Sequence, residues 1–320
     1  MTDDFLHIVI DTDLGSDDYG AILYLLKHPK VKIEAIIVTG CGACNLSRGY
    51  DNIRNVLSFV GKNDTPVLKG CNKPMMYSNM FSPDFRREAN ELFKIKLPKS
   101  DPLQQPGDVV EFFEHLTRSG NKIDFFSIGG LTTLGYLLKA GHDLSFIRRV
   151  VIMGGAIDVI GNVGHDSNNS HYLGNYAEWN IFVDPVATKY VLESDLQLLF
   201  VPLDACYQVA SMLELLSELD LSQNASWLVK QIESYRLNIV LSTRGYEYMY
   251  DQLAASVLVG TPGLVRTICD DELRVEVEFD EEANHLGELS KTGRCSSRMG
   301  YVRDIDPQVF YRDFVKILNS

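Results

Sequence analysis

Residues 7–39 read HIVIDTDLGSDDYGAILYLLKHPKVKIEAIIVT. The apolar run His7-Ile8-Val9-Ile10 stops at Asp11 and reads as a buried strand. Over 17–28 the apolar residues Ala21, Ile22, Leu25 and Leu26 fall at helical spacing, and Pro29 closes the segment. Residues 32–39 (KIEAIIVT) form the next strand, followed by a glycine-rich turn and a helix over about 48–60. The order β-α-β-α predicts a parallel sheet covered by helices.

Working outward, further strands are expected over 123–128, 149–153 and 196–202, with helices over 131–139 and 306–318. Residues 273–279 (LRVEVEF) alternate like an edge or peripheral strand. The expected fold is therefore α/β: an open, mostly parallel, Rossmann-like sheet with helices on both faces. Four strands end at Asp11, Gly40, Gly129 and Gly154, polar or glycine turns. Ligands of open parallel sheets bind outside the carboxyl ends of the strands, so the site is expected there. No repeat or long linker divides the chain, which reads as one domain over 1–320. The Asn- and Gly-rich stretch 161–176 (GNVGHDSNNSHYLGNY) reads as a lid-like loop.

The 320 residues are 45% apolar and 23% charged, which excludes a disordered chain. The net charge of −13 speaks against nucleic acid as a partner, since neutralising phosphates needs a basic field. The acidic start Met1-Thr2-Asp3-Asp4 does not resemble a secretory signal, and no apolar run is long enough to span a membrane. A cytoplasmic protein without membrane attachment is expected. The six cysteines are too sparse for a disulfide scaffold. Cys41-Gly-Ala-Cys44 has redox spacing, but no second Cys/His pair lies nearby to complete a zinc site, so it reads as a glycine-rich turn.

The sharpest feature is Asp11-Thr12-Asp13-Leu14-Gly15-Ser16-Asp17-Asp18, with four carboxylates in eight residues at the tip of a buried strand. Such crowding raises pKa values unless cations or hydrogen-bond donors compensate. A helix start favours anions, and a hard divalent cation takes oxygens from several carboxylates at once. Neighbouring helical residues point roughly 100° apart, so one of Asp17 and Asp18 can face a metal while the other faces a substrate. Helix capping accounts for one of these aspartates but not for four.

DTDLGSDD resembles the N-terminal signature of the nucleoside hydrolases of the inosine-uridine preferring type, Asp-x-Asp-Pro-Gly-x-Asp-Asp, with Leu14 replacing the proline. The resemblance continues in order through Gly70–Pro74, Gly130–Thr133, Val151–Gly155, Gly161–Val163, Glu178–Asn180, Asp184-Pro185 and Asp251. It implies Ca²⁺-dependent hydrolysis of the N-glycosidic bond of ribonucleosides, with a small-molecule nucleoside as partner and a homo-oligomeric assembly. It implies Asp13, Asp18, Asp251 and the carbonyl of Thr132 as metal ligands, and Asp13 as general base. Asp17, Asn162, Glu178 and Asn180 are implied to hold ribose hydroxyls, Met153 to line the sugar pocket, and Asp11 to orient the cluster. Asp184 reads as a helix-start residue.

Three departures concern the leaving base. The family's Asn in the turn after the second strand falls at Ala43, and its His-Gly segment is replaced by 77–84 (YSNMFSPD). The His before the late aspartate is Tyr250, placed to donate a proton or to stack on the base, which leans slightly toward purines. His165 and His171, in the lid-like loop, are the other candidates for the missing acid. Two rivals accompany this reading: a ribose- or nucleoside-binding homologue without turnover, and an Asp-dependent phosphatase of the haloacid-dehalogenase type. The latter wants Thr or Val where Gly15 stands.

Overall fold

The computed structural model describes residues 5–100, 107–166, 174–243, 247–280 and 284–320. The strands are β1 (Leu6–Thr12), β2 (Val31–Val38), β3 (Val67–Lys69), β4 (Gly107–Asp108), β5 (Ile123–Ile128), β6 (Ile147–Met153), β7 (Leu198–Val201), β8 (Val265–Cys269), β9 (Asp271–Val275), β10 (Leu289–Cys295) and β11 (Met299–Ile305). Among the described residues nine of them form one sheet in the order β4-β3-β2-β1-β5-β6-β7-β11-β8, and β9 pairs with β10 apart from it. Every pairing in the large sheet is parallel except β11 with β8.

Side chains alternate across a strand, so a run of consecutive apolar residues can be buried only if both faces are covered. Ile8 and Ile10 belong to one core layer with Ile36, Val38 and Phe126, beneath the helices Asp18–Lys27, Asn224–Thr243, Tyr250–Leu258 and Pro307–Leu318. Val9 belongs to the other with Ile37, Phe125 and Val150, beneath Val109–Ser119, Thr132–Lys139 and Pro185–Leu192. The expected three-layer α/β architecture is the observed one.

β1 pairs with β2 on one side and β5 on the other, so the chain reverses its direction of growth there. That is the switch point of the sheet, where a crevice opens beyond the strand ends. β1 runs two residues further than expected. Asp11 and Thr12 stay in register with Ile37 and Val38 and with Ser127 and Ile128. The acidic motif therefore begins inside the sheet, where two ladders fix its backbone. Residues 273–279 are strand only to Val275, in the peripheral β9–β10 pair. The lid-like stretch holds the short helix Val163–Asp166, and 167–173 lie outside the described residues. Among the described residues no helix is long and apolar enough to cross a membrane.

Two helices beside the site approach unusually closely. A Cβ on Gly135 would stand 2.7 Å from both Cα and Cβ of Ala187, so only glycine lets the Thr132 and Pro185 helices touch. Their first residues border the site, so this contact also sets its geometry. Gly135→Ala is expected to lower stability by about 1–3 kcal/mol through overpacking. A urea titration checks this as a fall in midpoint at unchanged slope.

Candidate active site

The carboxyl end of β1 gathers the acidic motif into a buried bowl. Asp11 is fully buried and accepts from the Thr39 hydroxyl (2.6 Å), which itself meets the Thr133 hydroxyl (2.9 Å). Its other oxygen has no partner. Asp13 accepts from the backbone N–H of Ala43 (2.8 Å) and of Gly15 (3.4 Å). The Ala43 turn comes this close because position 42 is glycine: a Cβ there would lie 1.6 Å from Asp13 Oδ2. On the other side, a Cβ on Gly129 would lie 2.8 Å from the Asp13 nitrogen. Ala43 thus serves the site through its backbone. Cys41 and Cys44 are free thiols in this turn.

Leu14 adopts φ 59°, a setting that proline, fixed at about −65°, excludes. Its N–H is donated to the Thr12 hydroxyl and to Asp18 Oδ1, both at 3.1 Å. The Thr12 hydroxyl also donates to Asp18. The departure from proline is thus a backbone matter: the turn bends so that Asp18, the first residue of its helix, comes back over the end of β1.

Asp17, Asp18 and Asp251 each bring one carboxylate oxygen within 4.8 Å of the others. Asp251 arrives from the far end of the chain, in the first turn of the Tyr250–Leu258 helix, and its Oδ1 is buried without a partner. Asp13 acts electrostatically on both Asp18 and Asp251. Thr132 is buried at the start of its helix, and its hydroxyl donates to Asp184 (2.8 Å).

The sugar-side candidates form a second wall. Glu178 caps the helix Trp179–Val183 and accepts from the N–H groups of Asn180 (2.9 Å), Gly155 (3.0 Å) and Ile181 (3.2 Å). Asn180 donates through Nδ2 to the Met153 carbonyl (3.1 Å) and approaches its sulfur (3.3 Å). Asn162 accepts from Trp179 N–H (3.2 Å), so the start of the lid-like stretch is tied to the helix that follows it. Glu178 is within electrostatic reach of Asp13. The predicted residues of both walls therefore meet at one end of the sheet.

Burial dominates the titration of the bowl. It lifts Asp11 and Glu178 to about 7 and Asp13 to about 6. Burial first, then neighbouring carboxylates, raise Asp18 and Asp251 well above the carboxylate range. Oxygen donors crowded this closely, with buried unpartnered oxygens on Asp11 and Asp251, suit a hard divalent cation.

Two residues carry more than the sequence reading assigned them. Asp184 starts a helix, as expected, accepting from Ala187 N–H (3.0 Å). Its second oxygen also takes Met75 N–H and the Thr132 hydroxyl, both at 2.8 Å, and so fixes Thr132. Arg86 was missed. The stretch that replaces the His-Gly segment leads into the helix Pro83–Asn90, whose Arg86 donates to the Gly42 carbonyl and to Asn45 Oδ1. Its charge favours ionised Asp13. Nothing in a lone arginine within an irregular segment signals that role. Tyr250 begins its helix and lies beside Tyr248, with ring centroids 5.9 Å apart. His171 lies outside the described residues, and of His165 only the backbone, in the Val163 helix, is described.

Fold and site together define an α/β protein with a buried acidic pocket, fit for a cation, at the switch point of its sheet. The family model for inosine-uridine preferring nucleoside hydrolases matches residues 8–312, and the chain belongs to that family, whose members hydrolyse N-glycosidic bonds of nucleosides. It is 30% identical over 208 residues to the pyrimidine-specific ribonucleoside hydrolase RihA of Salmonella schwarzengrund, a match covering 63% of this chain and 62% of that protein. It is 27% identical over 232 residues to an uncharacterised protein of Schizosaccharomyces pombe, covering 70% and 71%. The fold is similar to that of a purine-preferring ribonucleoside hydrolase from Gardnerella vaginalis, with TM-score 0.82, 22% identity and 98% of each chain covered.

Gly42→Ala is expected to displace Asp13 or its turn and to lower activity more than a hundredfold, within the roughly 10²–10⁴ range of a general acid–base group. Far-UV circular dichroism should stay unchanged. The pH dependence of stability is a second test. Carboxyls with raised folded pKa bind more protons folded than unfolded between about pH 4 and 7, so stability falls as pH rises through that window. Exposed Asp143 and Asp220 and half-buried Glu272 have lowered values and act below it. In chelator, the thermal midpoint is expected to drop by several degrees from pH 5 to pH 8. Saturating Ca²⁺ should remove the drop.

Proposed function

We propose that this chain hydrolyses the N-glycosidic bond of ribonucleosides to ribose and free base, with Ca²⁺ held at the acidic cluster. The observation that carries the reading is the convergence of Asp17, Asp18 and Asp251, with a buried unpartnered oxygen on Asp251. Asp13, Asp18, Asp251 and the Thr132 carbonyl would hold the cation. When bound, it supplies positive charge that acidifies a nearby water and lets the carboxylates ionise together.

Asp13 takes the proton from the attacking water. Its orientation is fixed by Ala43 N–H, and the Arg86 charge keeps it available as a base. Asp17, Asn162, Glu178 and Asn180 bind the ribose hydroxyls, carboxylates accepting and amides doing both. Met153 lines the sugar face, and Asp11 braces the cluster from behind. Cleaving the C1′–N bond builds positive charge on the ribose, which a ring of buried carboxylates stabilises. Tyr250 serves the leaving base, by proton donation or by stacking. An aromatic group there supports a lean to purine nucleosides.

A panel of purine and pyrimidine nucleosides assayed for free ribose, with and without chelator, tests this. Ribose release that stops in chelator is expected, with Asp13→Asn slower by about 10²–10⁴-fold. No ribose from any nucleoside would refute the reading. Calorimetric nucleoside binding without turnover would then indicate a binding homologue, and phosphate release from a phosphomonoester would indicate a phosphatase.

A further inference from the structure

Between the helix Asn224–Thr243 and the turn leading to Asp251 lies a buried ionic network that the proposed reaction does not use. The side chains of Arg236 and Glu233 are 3% and 1% exposed. Arg236 Nη1 donates to Glu233 Oε1 (2.8 Å), and Nη2 to the Tyr248 carbonyl (2.8 Å) and the Glu247 carboxylate. Glu233 also accepts from Gln252 Nε2 (2.8 Å) and from the Ser211 hydroxyl (2.9 Å). Gln252, next to Asp251, is wedged against the helix that starts at Asp18: a Cβ on Gly20 would lie 2.7 Å from its amide nitrogen.

Burying a guanidinium costs several kcal/mol, and an apolar cluster of equal volume often stabilises a fold as well or better. A buried network instead favours the one arrangement that satisfies most of its members, and of these side chains Arg236 Nε and Gln252 Oε1 lack a hydrogen-bond partner. Here the fixed part is the segment 247–252. One arm of the network grips the backbone and side chain at 247–248. The other grips Gln252, so Tyr250 and Asp251 are pinned from both sides. The neighbouring segment 206–211 adds a short backbone pairing, Met249 N–H to Val209 O (3.0 Å) and Ser211 N–H to Glu247 O (2.9 Å), the Tyr207–Tyr248 ring contact (4.8 Å) and the Cys206 thiol at the Tyr250 carbonyl (3.9 Å).

We propose that Arg236 is a positioning residue for the active site: through Glu247, the Tyr248 carbonyl, and Glu233 with Gln252, it holds Asp251 and Tyr250 in place for cation and substrate. This rests on the reading of Asp251 as a cation ligand. It predicts that the planar, bidentate reach of arginine matters, which lysine cannot reproduce.

The test is calorimetric titration of the chelator-treated full chain with CaCl₂, for the wild type, Arg236→Met, Arg236→Lys and Asp251→Asn. Thermal midpoints and kcat and KM on a cleaved nucleoside accompany it. Arg236→Met is expected to weaken Ca²⁺ binding by about 10–100-fold, as removal of a ligand's support does, and to lower kcat more than it raises KM. Arg236→Lys should fall between it and the wild type. If both variants melt lower yet bind Ca²⁺ as the wild type does, the network is merely structural and the inference is overturned. Should Arg236→Met not fold, Arg236→Lys decides by the same criterion. Asp251→Asn separates the two levels. If it binds Ca²⁺ normally, the ligand assignment itself fails. If it loses the cation while the Arg236 variants keep it, only the positioning role fails.

Discussion

Carboxylates cannot be buried side by side without something to offset their repulsion, and the architecture around β1 is organised by that constraint. Asp11, Asp13, Asp18, Asp251 and Glu178 are all nearly inaccessible to solvent. Each is met by a different device. A threonine hydroxyl meets Asp11, a glycine-permitted turn brings an N–H to Asp13, and Glu178 receives two N–H groups at a helix start and that of Gly155 beyond β6. These donors leave one oxygen of Asp11 and one of Asp251 unsatisfied. The unsatisfied Asp251 oxygen belongs to the carboxylate cluster with Asp17 and Asp18, an oxygen-rich arrangement that suits a divalent cation.

The surrounding fold serves this arrangement by rigidity rather than by contact. Asp11 and Thr12 hang from a strand paired on both sides, so the motif's backbone has no freedom to relax the crowding. Thr132 and Asp184 are tied to each other at the ends of two helices that touch through Gly135 and Ala187. The wall proposed to face the sugar is locked separately, by Glu178 and by the Asn162–Trp179 bond that ties the start of the 161–176 stretch to the segment after it. Charge, cation site and sugar wall thus rest on three independent supports.

Much of this was legible in the sequence. The apolar runs 8–10 and 150–153, and the apolar-rich 123–128, declare strands buried on both faces, because a doubly covered sheet is what buries consecutive apolar residues. DTDLGSDD was legible because carboxylates so dense have few bland explanations. Short strands were not: β3 and β4 hold three and two residues, too few to show alternation. β11 ends in Arg303 and Asp304, whose exposure breaks the apolar pattern. Arg86, Arg236 and the second role of Asp184 were hidden for another reason. Their importance depends on which distant backbone atom lies opposite, and sequence spacing does not carry that information. Leu14, which stands where the family signature has proline, is matched to a left-handed backbone turn.

The acidic site is assembled from the two ends of the molecule: Asp18 follows the first strand, and Asp251 belongs to a helix near the last quarter of the chain. During synthesis the N-terminal half therefore emerges with its carboxylates crowded and their late partner still unmade. The burial that raises the pKa values of Asp11, Asp13 and Asp18 exists only in the folded sheet, so in the emerging chain they titrate as ordinary carboxylates. The cluster of Asp17, Asp18 and Asp251 is thus complete only where the Tyr250–Leu258 helix packs on the helix Asp18–Lys27, so its geometry depends on a contact between residues more than 230 positions apart.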